Sequence, residues 1–185
     1  MLIEPLGQQI AVCSLEEAAR LTRADQGYWN VVSIRGSFDY KADLRWAKTI
    51  HHACFDDVED ECSIIYRSPR HADVADIFAY IRGLGVEPPL PPLLVHCAQG
   101  ISRSTAVALS WIYGNLPPSE QRSVKAVDLI LEVRPQAKPN RLVLTFGLAE
   151  FMAVDEAREL AQRLLADPRL EANRFQRPLG GWSES

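Results

Sequence analysis

Short runs of consecutive apolar residues alternate along this chain with longer stretches in which apolar residues recur every three or four positions. The first pattern is typical of buried β-strands, and the second is typical of helices with one apolar face. The runs predict strands over residues 10–13, 29–34, 51–55 and 93–96. The periodic stretches predict helices over residues 14–23, 73–84, 104–113, 119–133 and 141–165.

The order of these elements indicates an α/β fold. Strands that alternate with helices favour a central, mostly parallel twisted sheet of about four to five strands with helices on both faces. Ser14 and Glu17 form a capping-box pattern at the start of the first helix, and Asn140 is expected to cap the last one. We expect a single domain over residues 1–166, followed by a partly disordered tail over residues 167–185 that contains Pro, Gly and Ser.

Composition agrees with a single globular domain and argues against several classes of function. The chain has 185 residues, of which 47% are hydrophobic and 24% are charged, and its formal net charge is −4. A net negative charge argues against a broad surface for nucleic acid or an anionic membrane. The first residues lack the basic flank of a secretory signal and no apolar run approaches a membrane span, so we expect a cytoplasmic protein. The sequence leaves the oligomeric state open.

Cysteine and histidine spacing gives no sign of a metal centre. The four cysteines are Cys13, Cys54, Cys62 and Cys97. Without a secretory signal they are expected to be reduced thiols, and none of them belongs to a C-x-x-C pair. His51 and His52 are adjacent, so on a strand their side chains point to opposite faces. We therefore expect no metal ion and no cofactor.

The residues between the strand at 93–96 and the helix after it carry the most specific chemical pattern of the chain. Five residues separate Cys97 from Arg103, and Gly100 lies between them where a side chain would crowd the backbone. A tight strand-to-helix loop turns successive N–H groups inward and ends at the positive end of a helix, which makes a nest for an anion of phosphate size. The same field lowers the pKa of a thiol, so we expect Cys97 to be a thiolate near neutral pH.

This loop also carries a family signature. The residues His96, Cys97, Gly100, Arg103 and Ser104 match H-C-x-x-G-x-x-R-[ST], so the stretch resembles the signature of the cysteine-dependent protein tyrosine phosphatase superfamily. The resemblance implies that Cys97 is the nucleophile and that Arg103 clamps the phosphate oxygens in a bidentate manner. It implies that Ser104 donates a hydrogen bond to the leaving thiolate and that His96 orients the loop. The residues implied to bind the substrate phosphate are Ala98, Gln99, Gly100, Ile101, Ser102 and Arg103.

Two further stretches extend the resemblance. Residues 134–140 spell R-P-x-x-x-P-N, like the turn that many dual-specificity-type phosphatases carry after the signature helix. Residues 54–57 resemble the strand-end F-[DE]-D of several small members, in which the second acid, here Asp57, is the proton donor. Hydrolysis needs an acid on a separate loop, and the acidic cluster after residue 55 is the only convincing source. Asp56 and Asp60 stay open as alternatives, because the Trp-Pro-Asp tripeptide of the classical tyrosine-specific enzymes is absent.

The sequence thus predicts a phosphoric monoester hydrolase that resembles protein tyrosine or dual-specificity phosphatases and acts through a phosphocysteine intermediate without a metal. The expected partner is a phosphorylated protein or a small phosphomonoester. One alternative is the same chemistry on a phosphoinositide, a nucleotide or an RNA 5′ end, because the loop recognises phosphate and not its carrier. The other is a phosphate-binding pseudophosphatase adaptor, against which the presence of both Cys97 and Arg103 argues.

Overall fold

A computed structural model of the chain describes residues 1–59, 63–85, 87 and 89–175. The strands are β1 (Leu2–Ile3), β2 (Gln8–Cys13), β3 (Asn30–Arg35), β4 (Thr49–Cys54) and β5 (Leu90–His96). The helices are α1 (Leu15–Ala24), α2 (His71–Gly83), α3 (Arg103–Asn115), α4 (Arg122–Val133), α5 (Arg141–Leu148), α6 (Val154–Leu165) and α7 (Pro168–Phe175). A single 3-10 turn, Glu4–Leu6, joins β1 to β2.

The strands form one five-stranded sheet in the order β1-β2-β5-β3-β4. β1 pairs with β2 in the antiparallel direction, and all other neighbours are parallel, which confirms the expected mostly parallel α/β architecture. The central strand is β5, and its last residue, His96, lies in register with Cys13 on one side and Ser33 on the other. The carboxyl ends of three parallel strands therefore meet at one edge, where open α/β sheets bind ligands.

Hydrophobic side chains pack on both faces of the sheet. On one face, Val32 and Val95 belong to the larger core, to which helices α2 to α7 contribute. On the other face, Val31 and Leu94 pack with Ala18 of α1 in a smaller cluster. Because neighbouring residues of a strand point to opposite faces, these two pairs fix which helices lie on which side. Helices cover both faces, as the sequence predicts.

The central strand begins earlier than the apolar run indicates. β5 starts at Leu90 and includes Pro91 and Pro92, which precede the strand predicted over residues 93–96. Proline has no N–H to offer a neighbouring strand, but its carbonyl can still accept. Here Gln8 Nε2 donates to Pro91 O at 2.8 Å and Asn30 Nδ2 donates to Pro92 O at 3.1 Å. Side-chain amides from both flanking strands thus satisfy the carbonyls of the two prolines.

The single helix expected over residues 141–165 is wrong, because the chain forms two helices there. The N–H groups of Glu150 and Phe151 donate to carbonyls three residues earlier, which tightens the chain and ends α5. The turn brings the ring of Phe151 to within 5.7 Å of the Phe78 ring and 6.3 Å of the Trp111 ring, measured between centroids. Packing of this partly buried aromatic side chain at the break explains why apolar periodicity alone suggests one long helix.

The ends of the chain also differ from the expected pattern. The two-residue strand β1 has no signal in the sequence, whereas the capping box of α1 is confirmed, with Glu17 N donating to Ser14 Oγ at 3.2 Å. Part of the expected tail forms α7, where Leu170 is buried in the larger core. The expectation for residues 176–185 lies outside the described residues. In the described part of the chain no helix is long and apolar enough to cross a membrane.

The contact between α3 and α5 leads to a prediction about stability. A Cβ added to Gly147 would lie 2.2 Å from Ser110 Oγ and 2.8 Å from Ser110 Cβ, so Gly147→Ala should destabilise the protein by about 1–3 kcal/mol through overpacking. Urea unfolding followed by circular dichroism measures the loss. Gly83→Ala is the matched control, because nothing lies within 4 Å of a Cβ there. Equal stabilities of the two variants would contradict the close approach of the helices.

Candidate active site

The loop from Cys97 to Arg103 lies directly against the junction between β2 and α1. Gly100 has a φ of 70°, in the left-handed region that favours glycine. A Cβ at this position would lie 2.2 Å from the carbonyl carbon of Cys13 and 2.5 Å from Ser14 N. Leu15 N donates to Ala98 O at 3.2 Å at the same junction. The loop is therefore shaped by close backbone contact with the first strand-to-helix connection of the chain.

The segment 134–140 binds the outer side of the loop. Arg134 donates to Gln99 O at 3.1 Å, Lys138 N donates to Ile101 O at 2.9 Å, and Asn140 N approaches Ser102 O at 3.4 Å. Arg134 is itself held by two hydrogen bonds to the carboxylate of Glu17 in α1. These contacts turn successive loop carbonyls away from the strand ends. The second motif of the sequence thus acts as an outer support for the first.

Most backbone amides of the loop have no acceptor among the described residues. The N–H of Gly100 donates to Cys97 Sγ at 3.3 Å. Five other amides donate to no acceptor within the residues that the structure describes, namely those of Ala98, Gln99, Ile101, Ser102 and Arg103. Cys97 is buried, and its Sγ lies 3.2 Å from Ser104 Oγ at the start of α3. Backbone donors, a thiol and a hydroxyl group therefore meet around one small space.

The guanidinium of Arg103 is buried and held from one side. Nη1 donates to Phe55 O at 2.9 Å, and Nη2 donates to Asp39 Oδ2 at 3.0 Å. The Nε atom is buried and has no hydrogen-bond partner among the described residues. A buried donor without an acceptor is unfavourable by about 1–3 kcal/mol, and an anion held by the loop amides would relieve this cost. The arrangement gives Arg103 a fixed orientation and keeps one N–H available.

Asp56 supports this arrangement as a buried, hydrogen-bonded carboxylate. It accepts from Ser37 N and Ser37 Oγ at 2.7 Å each and from Arg67 N at 2.8 Å. Burial acts to raise the pKa of Asp56, but these hydrogen bonds and the nearby guanidinium of Arg103 outweigh it and hold the pKa below its ordinary value. A Cβ at Gly36 would lie 2.6 Å from Asp56 Oδ1, so glycine is required where these charged groups meet.

Asp57 is exposed and lies beside the loop. Its Oδ1 accepts from Ser102 Oγ at 2.7 Å and from Asn140 Nδ2 at 2.9 Å. Asn140 also caps α5, as expected, because its Oδ1 accepts from Val143 N at 3.1 Å. One side chain of the second motif therefore links the acidic loop to the start of α5. Asp60, the third acid considered from the sequence, lies outside the described residues.

His96 lies beneath the loop and is buried in the sheet. Its Nδ1 is 3.4 Å from Cys97 O, and its Nε2 is buried without a hydrogen-bond partner among the described residues. Burial is the main cause that lowers the pKa of His96 to about 4, against a small opposing effect of the Cys97 carbonyl. The imidazole is therefore neutral at physiological pH.

The structure brings together every site residue named from the signature, and it adds two that the sequence did not reveal. Asp39 holds Arg103 from a polar loop in which nothing distinguishes it from other acids. Glu17 serves the loop through Arg134, although its sequence pattern indicates only a helix cap. The cysteines described in the structure, Cys13, Cys54 and Cys97, are free thiols. Within the described ranges no three metal-binding side chains cluster.

Comparisons with known proteins find similarity in structure only. No protein-family model and no curated protein sequence matches the chain. Human DUSP28 is similar over 85% of this chain and 95% of its own, at 18% identity and a TM-score of 0.49. The Yvh1 phosphatase domain from Chaetomium thermophilum is similar over 77% and 88%, at 23% identity and a TM-score of 0.47. Tk-PTP in its active form is similar over 84% and 90%, at 18% identity and a TM-score of 0.47.

The buried, neutral His96 predicts a specific pH dependence of stability. Its pKa is lower in the folded chain than in the unfolded chain, so the unfolded state binds more protons below about pH 6.5 and stability falls as the pH drops from there towards 4. Between pH 6.5 and 4, the free energy of unfolding of His96→Asn should fall by roughly 1–3 kcal/mol less than that of the native chain. Urea unfolding at several pH values measures the difference. Parallel pH profiles for the two proteins would contradict the buried neutral state.

Proposed function

We propose that this chain is a phosphoric monoester hydrolase that works through a phosphocysteine intermediate. The observation that carries the proposal is the set of unpartnered donors in the loop that carries Cys97, made of five loop amides and the buried Nε of Arg103. These donors suit a dianion with three equatorial oxygens, and their preorganisation stabilises charge that develops in the transition state. The signature at residues 96–104 supports the same chemistry.

In the first step, the Cys97 thiolate attacks phosphorus while the bond between phosphorus and the ester oxygen breaks. The leaving oxygen takes a proton from the carboxylic acid of Asp57, so that the products are phosphocysteine and a neutral alcohol. The loop amides and Arg103 hold the equatorial oxygens throughout. Asp39 keeps the guanidinium in the required orientation by accepting from its Nη2.

In the second step, water attacks the phosphorus of the phosphocysteine. The Asp57 carboxylate now takes the proton from the water, the sulfur–phosphorus bond breaks, and inorganic phosphate and the thiolate are released. Ser104 Oγ lies 3.2 Å from Cys97 Sγ and is suited to donate a hydrogen bond to the departing sulfur. The leaving thiolate is thereby stabilised without an additional charged group.

We assign the proton transfers to Asp57 rather than to Asp56. A general acid must be protonated when the ester oxygen leaves, and the three hydrogen bonds to Asp56 together with its lowered pKa favour the ionised form. Asp57 is exposed at the rim of the loop and is bonded through one oxygen only, so Oδ2 is free to meet a substrate.

The carrier of the phosphate is a separate question. The resemblance to protein tyrosine and dual-specificity phosphatases favours a phosphoprotein, whereas the loop itself recognises only phosphate. A non-protein phosphomonoester is the second candidate. It is favoured by a cavity next to Cys97 that is lined by the cationic side chains of Arg35 and Lys41. An adaptor that binds phosphate without turnover is disfavoured, because both Cys97 and Arg103 are present with the contacts that hydrolysis requires.

The first test is hydrolysis of an aryl phosphate by the purified chain. The chain itself supplies the nucleophile and the positive charge, so activity should persist in excess EDTA and should be blocked by vanadate, which imitates the trigonal transition state. Cys97→Ser should abolish turnover. Cys54→Ser, a thiol outside the loop, is the matched control and should remain active. Activity that depends on an added divalent ion, or that survives in Cys97→Ser, would overturn the proposal.

The second test concerns the proton donor. Asp57→Asn should lower kcat by about 10²–10⁴-fold on an ester with a poor leaving group and much less on an activated aryl ester, which needs no proton. Glu59→Gln, which changes a neighbouring acid paired with Arg141, is the control. If both leaving groups were affected equally, the acid would lie elsewhere in the loop.

A further inference from the structure

A cavity adjoins the catalytic cysteine on the side of the sheet that faces α1. It has a volume of about 390 Å³ and extends from Cys97 and Ala98 across the ends of β3 and β4, beneath the loop of residues 36–48. Ligand pockets in proteins range from about 300 to 1,000 Å³, so this one suits a small group and not a large one. The cavity thus adjoins the first two residues of the Cys97 loop.

The charges around this cavity differ in sign from the chain as a whole. Three cationic side chains line it, those of Arg35, Lys41 and Arg45, although the net charge of the chain is −4. Arg45 is paired with Asp43 at 2.8 Å. The side chains of Arg35 and Lys41 form no ion pair or hydrogen bond with the residues that the structure describes. Two cations therefore remain available to a ligand.

The single carboxylate in the lining does not cancel these charges. Asp39 Oδ2 accepts from Gly36 N at 2.6 Å and from Arg103 Nη2 at 3.0 Å, so its negative charge is already compensated by the guanidinium. The electrostatic field in the cavity consequently favours an anion. This anion is distinct from the phosphate in the loop, because Arg35 and Lys41 belong to β3 and to the loop that follows it.

Polar and apolar residues share the lining of the cavity. Ser33 lies in register with His52 on one neighbouring strand and with His96 on the other, so the three side chains form a polar row on one face of the sheet. All three residues line the cavity. Leu15, Leu44 and Ile50 add apolar surface, so the two free cations are the feature of the lining that selects a ligand.

We propose that this cavity binds the second anionic group of a small substrate, with Lys41 and Arg35 on the second anion and the reacting phosphate in the Cys97 loop. This inference rests on the proposed function and narrows its substrate class to phosphomonoesters that carry a further phosphate or carboxylate. A phosphotyrosine side chain carries no second anion and would leave both cations unpaired.

The test compares a sugar monophosphate with its bisphosphate, glucose 6-phosphate and glucose 1,6-bisphosphate. The second phosphate should gain one charge-assisted contact with the cations of the cavity. We therefore expect kcat/KM to be about tenfold or more higher for the bisphosphate than for the monophosphate. Lys41→Gln should reduce this preference by roughly two- to fivefold, the range for an ion pair of an exposed side chain, and Lys41→Arg should largely retain it. Lys125→Gln removes an exposed lysine from α4 and is the matched control. It should leave the preference unchanged.

Binding to the Cys97→Ser chain, measured by calorimetry with the same two sugars, separates this inference from the function itself. If the native chain hydrolyses no phosphate ester, the proposed function fails, and tighter binding of the bisphosphate that depends on Lys41 still supports the cavity. If aryl phosphate is hydrolysed but the two sugars are treated alike, the inference is overturned and the function stands. A phosphotyrosine peptide preferred over the bisphosphate, with no effect of Lys41→Gln, would also overturn it.

Discussion

The site depends on one constraint, which is that the backbone of the Cys97 loop must keep its N–H groups free. A loop can do so only if its carbonyls are bonded on the opposite side, since unsatisfied groups of both kinds would be too costly to bury. Leu15 N, Arg134 and Lys138 N provide these outward bonds. The junction of β2 with α1 and the segment 134–140 are therefore as necessary to the phosphate nest as the loop residues themselves.

Local chemistry explains why much of the site could be predicted from the sequence. The signature places a thiol, a glycine and a guanidinium at fixed spacing within one loop, so strand and helix periodicity suffices to bring them together. Asp39 could not be found in this way, because it reaches Arg103 across 64 positions and belongs to a loop without regular structure. The choice between Asp56 and Asp57 needed hydrogen-bond partners, which a run of acidic letters does not provide.

In the fold, too, features set by neighbouring residues are predictable from the sequence, whereas features set by contacts between distant residues are not. The α/β order of strands and helices follows from apolar periodicity, and the capping box of α1 follows from Ser14 and Glu17. The two helices α5 and α6 were predicted as one, since the turn between them depends on Phe151 packing against rings in α2 and α3. The predicted strand leaves out Pro91 and Pro92. Their carbonyls accept hydrogen bonds from Gln8 and Asn30, which lie on other strands and cannot be paired with them from the sequence alone.

The hydrogen bonds between Arg134 and Glu17 have a consequence for how the site is assembled. The two residues are 117 positions apart, and each belongs to a segment that holds the loop from outside. A partly folded chain that has formed β5 and α3 alone would thus expose the thiol without the nest around it. Contacts between residues so far apart in sequence require costly loop closure, so we expect this assembly to be a late event in folding. The phosphate affinity that we propose would consequently be a property of the finished fold, and its appearance during refolding would report completion of the whole domain.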